Sequence, residues 1–155
     1  MEHSGRLWGI IMFMGEFHHN IDDKARLVMP SKFRFELGET FVVTRGLDEC
    51  LFIYSVSEWN NLVNKLRNLS FTKKDARAFM RFFLSGATEC TLDKQGRVTI
   101  APGLVNYASL KKECVIIGVN DRLEVWDSNT YNKYFESKQE DISNLAENLF
   151  DGMEV

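Results

Sequence analysis

The sequence lacks the residues and motifs on which most enzymes and metal proteins depend. Its 155 residues include only three histidines and three cysteines, and no C-x-x-C pair. Cys50, Cys90 and Cys114 are odd in number and far apart, which argues for a reducing compartment and against zinc. There is no G-x-S-x-G, no glycine-rich phosphate loop, no H-E-x-x-H and no calcium loop. We therefore predict no catalytic residue, no metal, no cofactor and no small-molecule substrate.

Long apolar runs are missing as well. The stretch from Leu7 to Met14 follows a single arginine, as in a secretory signal, but it is too short to span a bilayer and lacks a small-x-small cleavage site. We expect residues 1–11 either to precede the natural start at Met12 or to form a loosely held extension. The prediction is a cytoplasmic protein without a membrane partner.

Histidines and carboxylates near the first loop do not form a convincing reaction centre. His18 and His19 are neighbours on a predicted strand, so their side chains point to opposite faces and cannot readily share one metal. Glu16, Asp22 and Asp23 are close in sequence, but no neighbouring base, nucleophile or apolar pocket suggests a tuned acid. An enzyme acting on nucleic acid or a small molecule is kept only as the third functional hypothesis.

Charge is distributed unevenly along the chain, although the net charge is only −3. Residues 61–112 carry ten lysines and arginines against three acids, and residues 113–155 carry three against ten. Local basic surface is what displaces counterions from phosphate, so a DNA partner remains compatible with the acidic total.

One unit occurs twice in the sequence. Residues 22–26 read D-D-K-A-R and residues 93–97 read D-K-Q-G-R, each between two apolar stretches. The match extends from residues 21–30 onto residues 92–101, and after a one-residue slip it continues to the apolar segment that ends at Trp126. Because two repeats of about 70 residues are each near the lower limit for independent folding, we predict one pseudo-symmetric domain.

Each repeat reads as short strands around a tight turn, followed by a short helix. In the first repeat we predict a strand over 16–21, a turn over 22–26, a return strand over 27–29, a helix over 31–37 ending at Gly38, and strands over 41–44 and 51–54. The second repeat copies this order. The fold class is therefore α+β and rich in strands.

Helices are predicted between the repeats and at the end of the chain. One begins at Ser57, and a second is capped by Thr72 and ends at Gly86. A third starts near Ser128, and an apolar pattern of helical spacing continues through Leu149. Lys73, Arg77 and Arg81 form a basic stripe on the second helix, which we interpret as a solvated or subunit-contacting face.

The repeated loop suits nucleic-acid binding. Asp22 and Asp93 can accept backbone N–H groups in an Asx-type turn, and Gly96 can take a positive φ before Arg97. Ala25 occupies the place of Gly96 in the first copy, so we expect the first loop to be somewhat altered in shape. An arginine at the end of a hairpin can pair with guanine or phosphate. The alternative is that Asp22/Arg26 and Asp93/Arg97 are only structural ion pairs beside turns.

A resemblance to a known family adds to this interpretation. The segments involved are M-F-M-G-E over 12–16, the two D-x-x-x-R loops, F-V-V-T-R-G-L over 41–47, and the long run T-K-K-D-A-R-A-F-M-R-F-F-L-S-G-A-T-E-C over 72–90. Together they resemble the MraZ family of bacterial transcriptional regulators from about Met12 to Leu149. The loops depart from the usual D-x-K-G-R pattern at Ala25 and at Lys94-Gln95.

The resemblance implies a fold, a partner and an assembly. The fold is a double swapped-hairpin β-barrel related to the AbrB regulators, with both halves in one chain. The partner is double-stranded DNA carrying short direct repeats, in the promoter of a division and cell-wall operon that the family typically represses. The assembly is a ring-shaped homo-oligomer, associated with the nucleoid. By position, the DNA contacts fall on the two loops: Arg26 and Arg97 as reading groups, Lys24 and Lys94 on phosphate, and Asp22, Asp93 and Gly96 as loop-shaping residues.

These predictions divide the chain into five segments. They are an extension (1–11), a first AbrB-like repeat (12–60), connecting helices (61–87), a second repeat (88–136) and an acidic C-terminal helix or tail (137–155). The second functional hypothesis is an antitoxin-type interaction module, in which the barrel holds a protein partner through the C-terminal helix.

Overall fold

The computed structural model describes residues 6, 7 and 10–153, and side chains from residue 12 onward. Much of the predicted extension (1–11) and the last two residues of the predicted tail (137–155) lie outside the described residues. Within the described part of the extension, strand β1 (Arg6–Leu7) pairs with strand β2 (Ile10–Ile11).

The first repeat unit follows the predicted order of elements. Strand β3 begins three residues earlier than predicted and ends one residue short, with Ile21 continuing it as a bridge to Leu27. Helix α1 has the predicted bounds, and Gly38 ends it with a φ of 84°. The elements are β3 (Phe13–Asn20), β4 (Arg26–Val28), α1 (Ser31–Leu37), β5 (Thr40–Arg45) and β6 (Leu51–Ser55).

The remaining elements include the second copy of this order. Two helices come first, α2 (Val56–Arg67) and α3 (Lys74–Ser85). The copy consists of β7 (Thr88–Thr91), β8 (Arg97–Thr99), α4 (Pro102–Tyr107), β9 (Glu113–Asn120) and β10 (Arg122–Asp127), and the chain ends in α5 (Ser128–Gln139) and α6 (Ile142–Leu149).

Two predicted helix starts need correction. Helix α2 begins at Val56, one residue before the predicted start at Ser57, and the Ser55 hydroxyl caps it by accepting a hydrogen bond from the Glu58 backbone N–H at 3.2 Å. Thr72 does not cap α3, because its hydroxyl is 2.7 Å from that of Ser70, and Lys73 occupies the capping position without a side-chain bond. Both helices nevertheless lie between the repeats.

The sheet exchanges strands between the two repeats. Its order is β3-β9-β10-β6-β5-β7, and every pairing is antiparallel. The first strand of each repeat lies beside the third strand of the other, and the two fourth strands, β6 and β10, meet at the centre. Replacing each strand by its counterpart in the other repeat gives the same order reversed, so the sheet has a pseudo-two-fold relation. The fold is thus α+β with an antiparallel sheet, as predicted.

This sheet is open, with β3 and β7 at its edges, so the closed barrel stays a prediction. A separate two-stranded ribbon is made by β4 and β8, one strand from each repeat.

Apolar side chains fill both faces of the central strands. On β6, Leu51 and Ile53 enter a core cluster with α1, α4 and the ribbon, while Phe52 and Tyr54 enter a second cluster beneath α2 and α3. This double burial explains why β6 is a nearly continuous apolar run instead of an alternating one. Among the described residues, no helix is both long and apolar enough to cross a bilayer.

Candidate nucleic-acid interface

The first loop is closed by the carboxylate of Asp22. Asp22 Oδ1 accepts the backbone N–H groups of Lys24 at 2.9 Å and Arg26 at 2.8 Å. The Asp22 backbone carbonyl accepts the Ala25 N–H at 3.0 Å. This is the predicted Asx-type turn, because one carboxylate satisfies donors that have no strand partner inside the turn.

The second loop repeats these contacts. Asp93 Oδ1 accepts the backbone N–H groups of Gln95 and Arg97, both at 2.9 Å, and the Asp93 carbonyl accepts the Gly96 N–H at 3.0 Å. Two segments of different sequence therefore have one geometry, and the aspartate is what they share.

The fourth residue of each loop is left-handed and connects the loop to the opposite repeat. Ala25 has a φ of 59° and Gly96 a φ of 74°. The Ala25 carbonyl accepts the N–H of Ile100, and the Gly96 carbonyl accepts the N–H of Met29, both at 2.8 Å. The expectation that Ala25 alters the first loop is wrong. Ala25 adopts the unfavourable conformation because these cross-repeat bonds and the Asp22 bonds fix it.

The ribbon places both loop arginines on one face. Arg26 lies opposite Thr99, and Arg97 lies opposite Val28, with the pair Leu27–Val98 between them. Leu27 and Val98 are fully buried in the core. Since side chains alternate along a strand, Arg26 and Arg97 project from the other face. As diagonal neighbours, their positions are about 7–8 Å apart.

Each arginine is oriented by the aspartate of its own loop. Arg26 Nε donates to Asp22 Oδ2 at 2.7 Å, and Arg97 Nε donates to Asp93 Oδ2 at 2.8 Å. The side chains keep exposed fractions of 30% and 24%, respectively. Because the aspartates hold Nε, the terminal nitrogens form a fork with a fixed direction. Arg97 Nη2 also donates to Gln95 Oε1 at 2.7 Å.

Both aspartates remain charged over the whole physiological range. The backbone N–H of Arg26 is the main reason that the pKa of Asp22 lies below its ordinary value, with the Arg26 side chain adding to it. The Arg97 N–H and guanidinium lower the pKa of Asp93 in the same way. The bonds that shape each loop therefore also keep its arginine paired.

Lys24 and Lys94 occupy the exposed turns of the two loops. Neither lysine side chain has a hydrogen bond or an ion pair within the described part of the chain. Their positions correspond only approximately, since Lys24 is the third residue of its loop and Lys94 the second.

One cation near the second loop is not among the predicted site residues. Arg34, on α1, lies against Gly96, where an added Cβ would be only 2.6 Å from Arg34 Nη2. Arg34 Nε donates to the Met29 carbonyl at 2.8 Å. The only sequence signal was indirect: glycine in one loop and alanine in the other.

The rest of the described chain offers little reactive chemistry. No group of three His, Cys, Asp or Glu side chains between residues 12 and 153 could hold a metal ion. Burial raises the pKa of Cys50 and of Cys114 to about 12, so neither is a ready nucleophile. The hydrogen bond with His18, at 3.0 Å, lowers the pKa of the Glu16 carboxyl, whose other oxygen accepts the Tyr131 hydroxyl of α5 at 3.0 Å.

Comparison with protein families gives two matches that follow the two repeats. The family model described as "MraZ protein, putative antitoxin-like" matches residues 12–82 and residues 83–152. Each match contains one D-x-x-x-R loop, and together the matches cover most of the chain. The family is regulatory and non-enzymatic. The chain belongs to the MraZ family of transcriptional regulators.

Proposed function

We propose that the protein binds duplex DNA through the loops at residues 22–26 and 93–97, and that it represses transcription of its own operon. The observation that carries this proposal is the pair of oriented guanidinium groups on the outer face of the β4–β8 ribbon. Such a regulator acts in the cytoplasm, at the nucleoid.

The dimensions of the ribbon suit the major groove. A two-stranded ribbon fits a groove about 12 Å wide, and arginines about 7–8 Å apart fit within that width. The fork of each guanidinium matches the N7 and O6 acceptors of guanine. Because the opposite face is core, the ribbon keeps its shape when it enters the groove.

The loop residues divide into three roles. Arg26 and Arg97 read base edges, and Lys24 and Lys94 contact phosphate. Asp22 and Asp93 hold the loops and do not touch the acidic backbone. Phosphate contacts position the ribbon, so the lysines contribute affinity and the arginines contribute specificity.

Assembly into a ring increases the affinity for DNA, because several interfaces of this size then bind at once. One ribbon offers few contacts, so one interface alone binds weakly. A ring of copies that presents several ribbons to direct repeats gains affinity through effective concentration, provided that the repeat spacing matches. The operator is then defined by the spacing of short repeats as well as by their sequence.

A footprint on the DNA upstream of the native gene tests the proposal. We expect protected segments at regular spacing, and protection that weakens steeply between 50 and 200 mM salt as counterions are released. The double variant Lys24→Ala/Lys94→Ala should keep the footprint at low salt and show a shallower salt dependence. The absence of any protected segment at low salt would refute DNA binding.

A second candidate function is an antitoxin-type module. The family description names it, and α5 and α6 expose apolar side chains that a protein partner could cover. Phe135 is 52% exposed, Ile142 57% and Leu149 75%. A groove of about 290 Å³ between the two helices is lined by Phe135, Ile142 and Leu145, among others.

Deletion of residues 137–155 distinguishes the two candidates. An antitoxin should keep its DNA and lose its protein partner, whereas a repressor that assembles through these helices should lose its oligomer and, with it, most of its affinity for DNA. Size-exclusion chromatography and footprinting of the full and shortened chains measure both properties.

A further inference from the structure

The two halves of the candidate interface, each built around one loop, differ at the left-handed residue of the loop. Gly96, in the second loop, is buried, and its missing Cβ leaves the space that the Arg34 guanidinium occupies. A side chain at this position would meet both terminal nitrogens of Arg34, at 2.6 and 2.7 Å. Glycine is needed here because of its neighbour as well as its positive φ.

The first half has no equivalent cation. With the spacing that equates Ala25 and Gly96, the counterpart of Arg34 is Val105 of α4. Val105 and Ala25 both pack against the core, and Ala25 is only half-buried. The pseudo-two-fold relation that holds for the loops and the ribbon therefore fails at this pair.

The difference changes the charge of the two halves. In the first loop, Asp22 and Asp23 balance Lys24 and Arg26. The second loop has one acid, Asp93, against two bases, and Arg34 adds a third. No carboxylate in the described part of the chain pairs with Arg34, whereas Arg26 and Arg97 are each paired. Counted over the two loops and Arg34, the second half is the more positive of the two.

Arg34 still has donors available for a ligand. Its Nε is held by the Met29 carbonyl, which fixes the side chain beside the second loop. The terminal nitrogens have no protein acceptor among the described residues. A guanidinium held in this way, against the backbone of the residue before Arg97, suits a phosphate oxygen or a guanine edge.

We propose that Arg34 is a specificity-determining residue that makes the interface asymmetric, so that the protein binds its DNA in one orientation only. The inference rests on the proposed function and adds to it. An exact two-fold interface would bind a site equally well in either direction. Direct repeats, by contrast, all run in the same direction along the DNA. A cation present in only one half of the interface allows the protein to distinguish that direction from its reverse.

Site-directed cleavage tests the orientation. An iron chelate is attached to a cysteine that replaces Ser31, at the exposed start of α1, or Pro102, its counterpart at the start of α4. Both variants carry Cys90→Ser, because Cys50 and Cys114 are buried and Cys90 is the one cysteine that is partly exposed. The probe is the duplex protected upstream of the native gene, cut down to one repeat.

We expect the Ser31→Cys label to cut one side of the repeat and the Pro102→Cys label the opposite side. The preference should be at least about tenfold, within the range of discrimination for one guanidinium contact. Arg34→Val should reduce this preference several-fold without abolishing retention of the duplex. Equal cutting on both sides by the unmodified interface would overturn the inference and leave DNA binding intact. Failure of the parent protein to protect the full set of repeats, where several ribbons bind together, would refute the proposed function itself.

A second variant tests the same inference without removing the hydrogen bond from Arg34 to the Met29 carbonyl. Ala25→Gly with Val105→Arg gives the first half its own cation and leaves Arg34 in place. We expect this variant to cut both sides and to bind at least as tightly as the parent. One-sided cutting at the ratio of the parent, either here or in folded Arg34→Val, would exclude Arg34 as the source of orientation.

Discussion

The loops at residues 22–26 and 93–97 have the same hydrogen bonds but different residues at the left-handed position. Ala25 and Gly96 differ by 15° in φ, at 59° and 74°, and both carbonyls accept an N–H from the opposite repeat. The common features are the aspartate, the arginine and the cross-repeat bonds. Loop shape is therefore set by these bonds, and glycine is required only where Arg34 covers the backbone.

Removing the arginines should have the largest effect, because it removes what the two loops have in common. We expect Arg26→Ala and Arg97→Ala each to weaken binding to promoter DNA by about 100-fold or more, since one bidentate contact is lost in every copy of the ring. Fluorescence anisotropy with the footprinted duplex measures the loss. Size-exclusion chromatography should show an unchanged oligomer.

Arg67→Ala is the matched control, since Arg67 is an exposed arginine at the end of α2. It should bind DNA within a few-fold of the parent. Normal binding by both loop variants would reduce the D-x-x-x-R pairs to structural ion pairs beside turns.

Substitutions at the two left-handed positions, Ala25 and Gly96, test whether glycine is required only in the second loop. Ala25→Gly should raise the free energy of unfolding by up to about 1 kcal/mol, because relief of the left-handed strain exceeds the added entropy of the unfolded chain. Gly96→Ala should lower it by about 2 kcal/mol, since the new Cβ also displaces Arg34. Urea denaturation measures both changes.

A double-mutant cycle separates the two causes of the Gly96→Ala effect. In an Arg34→Val background the loss should shrink, because only the backbone strain is left. An undiminished loss would mean that contact with Arg34 contributes nothing to the need for glycine.

Local features of this fold could be predicted from the sequence. The Asx turns and the helix that ends at Gly38 depend on residues close together in the chain, and each is found. The Thr72 cap was wrong because the hydroxyl of Ser70, two residues away, is a competing partner. Sequence position alone does not decide between such neighbours.

Features that join the two repeats could not be predicted in this way. Nothing in β3 or β9 specifies that they pair with each other instead of within their own repeats, because that choice depends on the closing of the whole core. The contact between Arg34 and Gly96 likewise joins residues from different repeats. Arg26 and Arg97 were found because the duplication repeats the motif, and Arg34 was missed because it has no counterpart.

The smallest expected effect is that of the loop aspartates on Tm, and it should be equal in the two loops. Asp22→Ala and Asp93→Ala each remove the acceptor of two backbone N–H groups, so each should lower Tm by a few degrees at pH 7. Asp23→Ala removes an exposed carboxylate outside these bonds and serves as the control, with Tm almost unchanged.

At acidic pH the parent and the two aspartate variants should no longer differ in Tm, because the pKa values of Asp22 and Asp93 are lowered in the folded protein. A carboxylate of this kind stabilises the fold fully above its unfolded pKa of about 3.9, and the stabilisation is lost as the pH falls through the folded value. Differential scanning fluorimetry from pH 7 to pH 3 should therefore show the parent and the two variants converging below about pH 4. If the Tm of only one variant converges with that of the parent, the two ion pairs are not equivalent. The two loops would then be alike in their backbone geometry only.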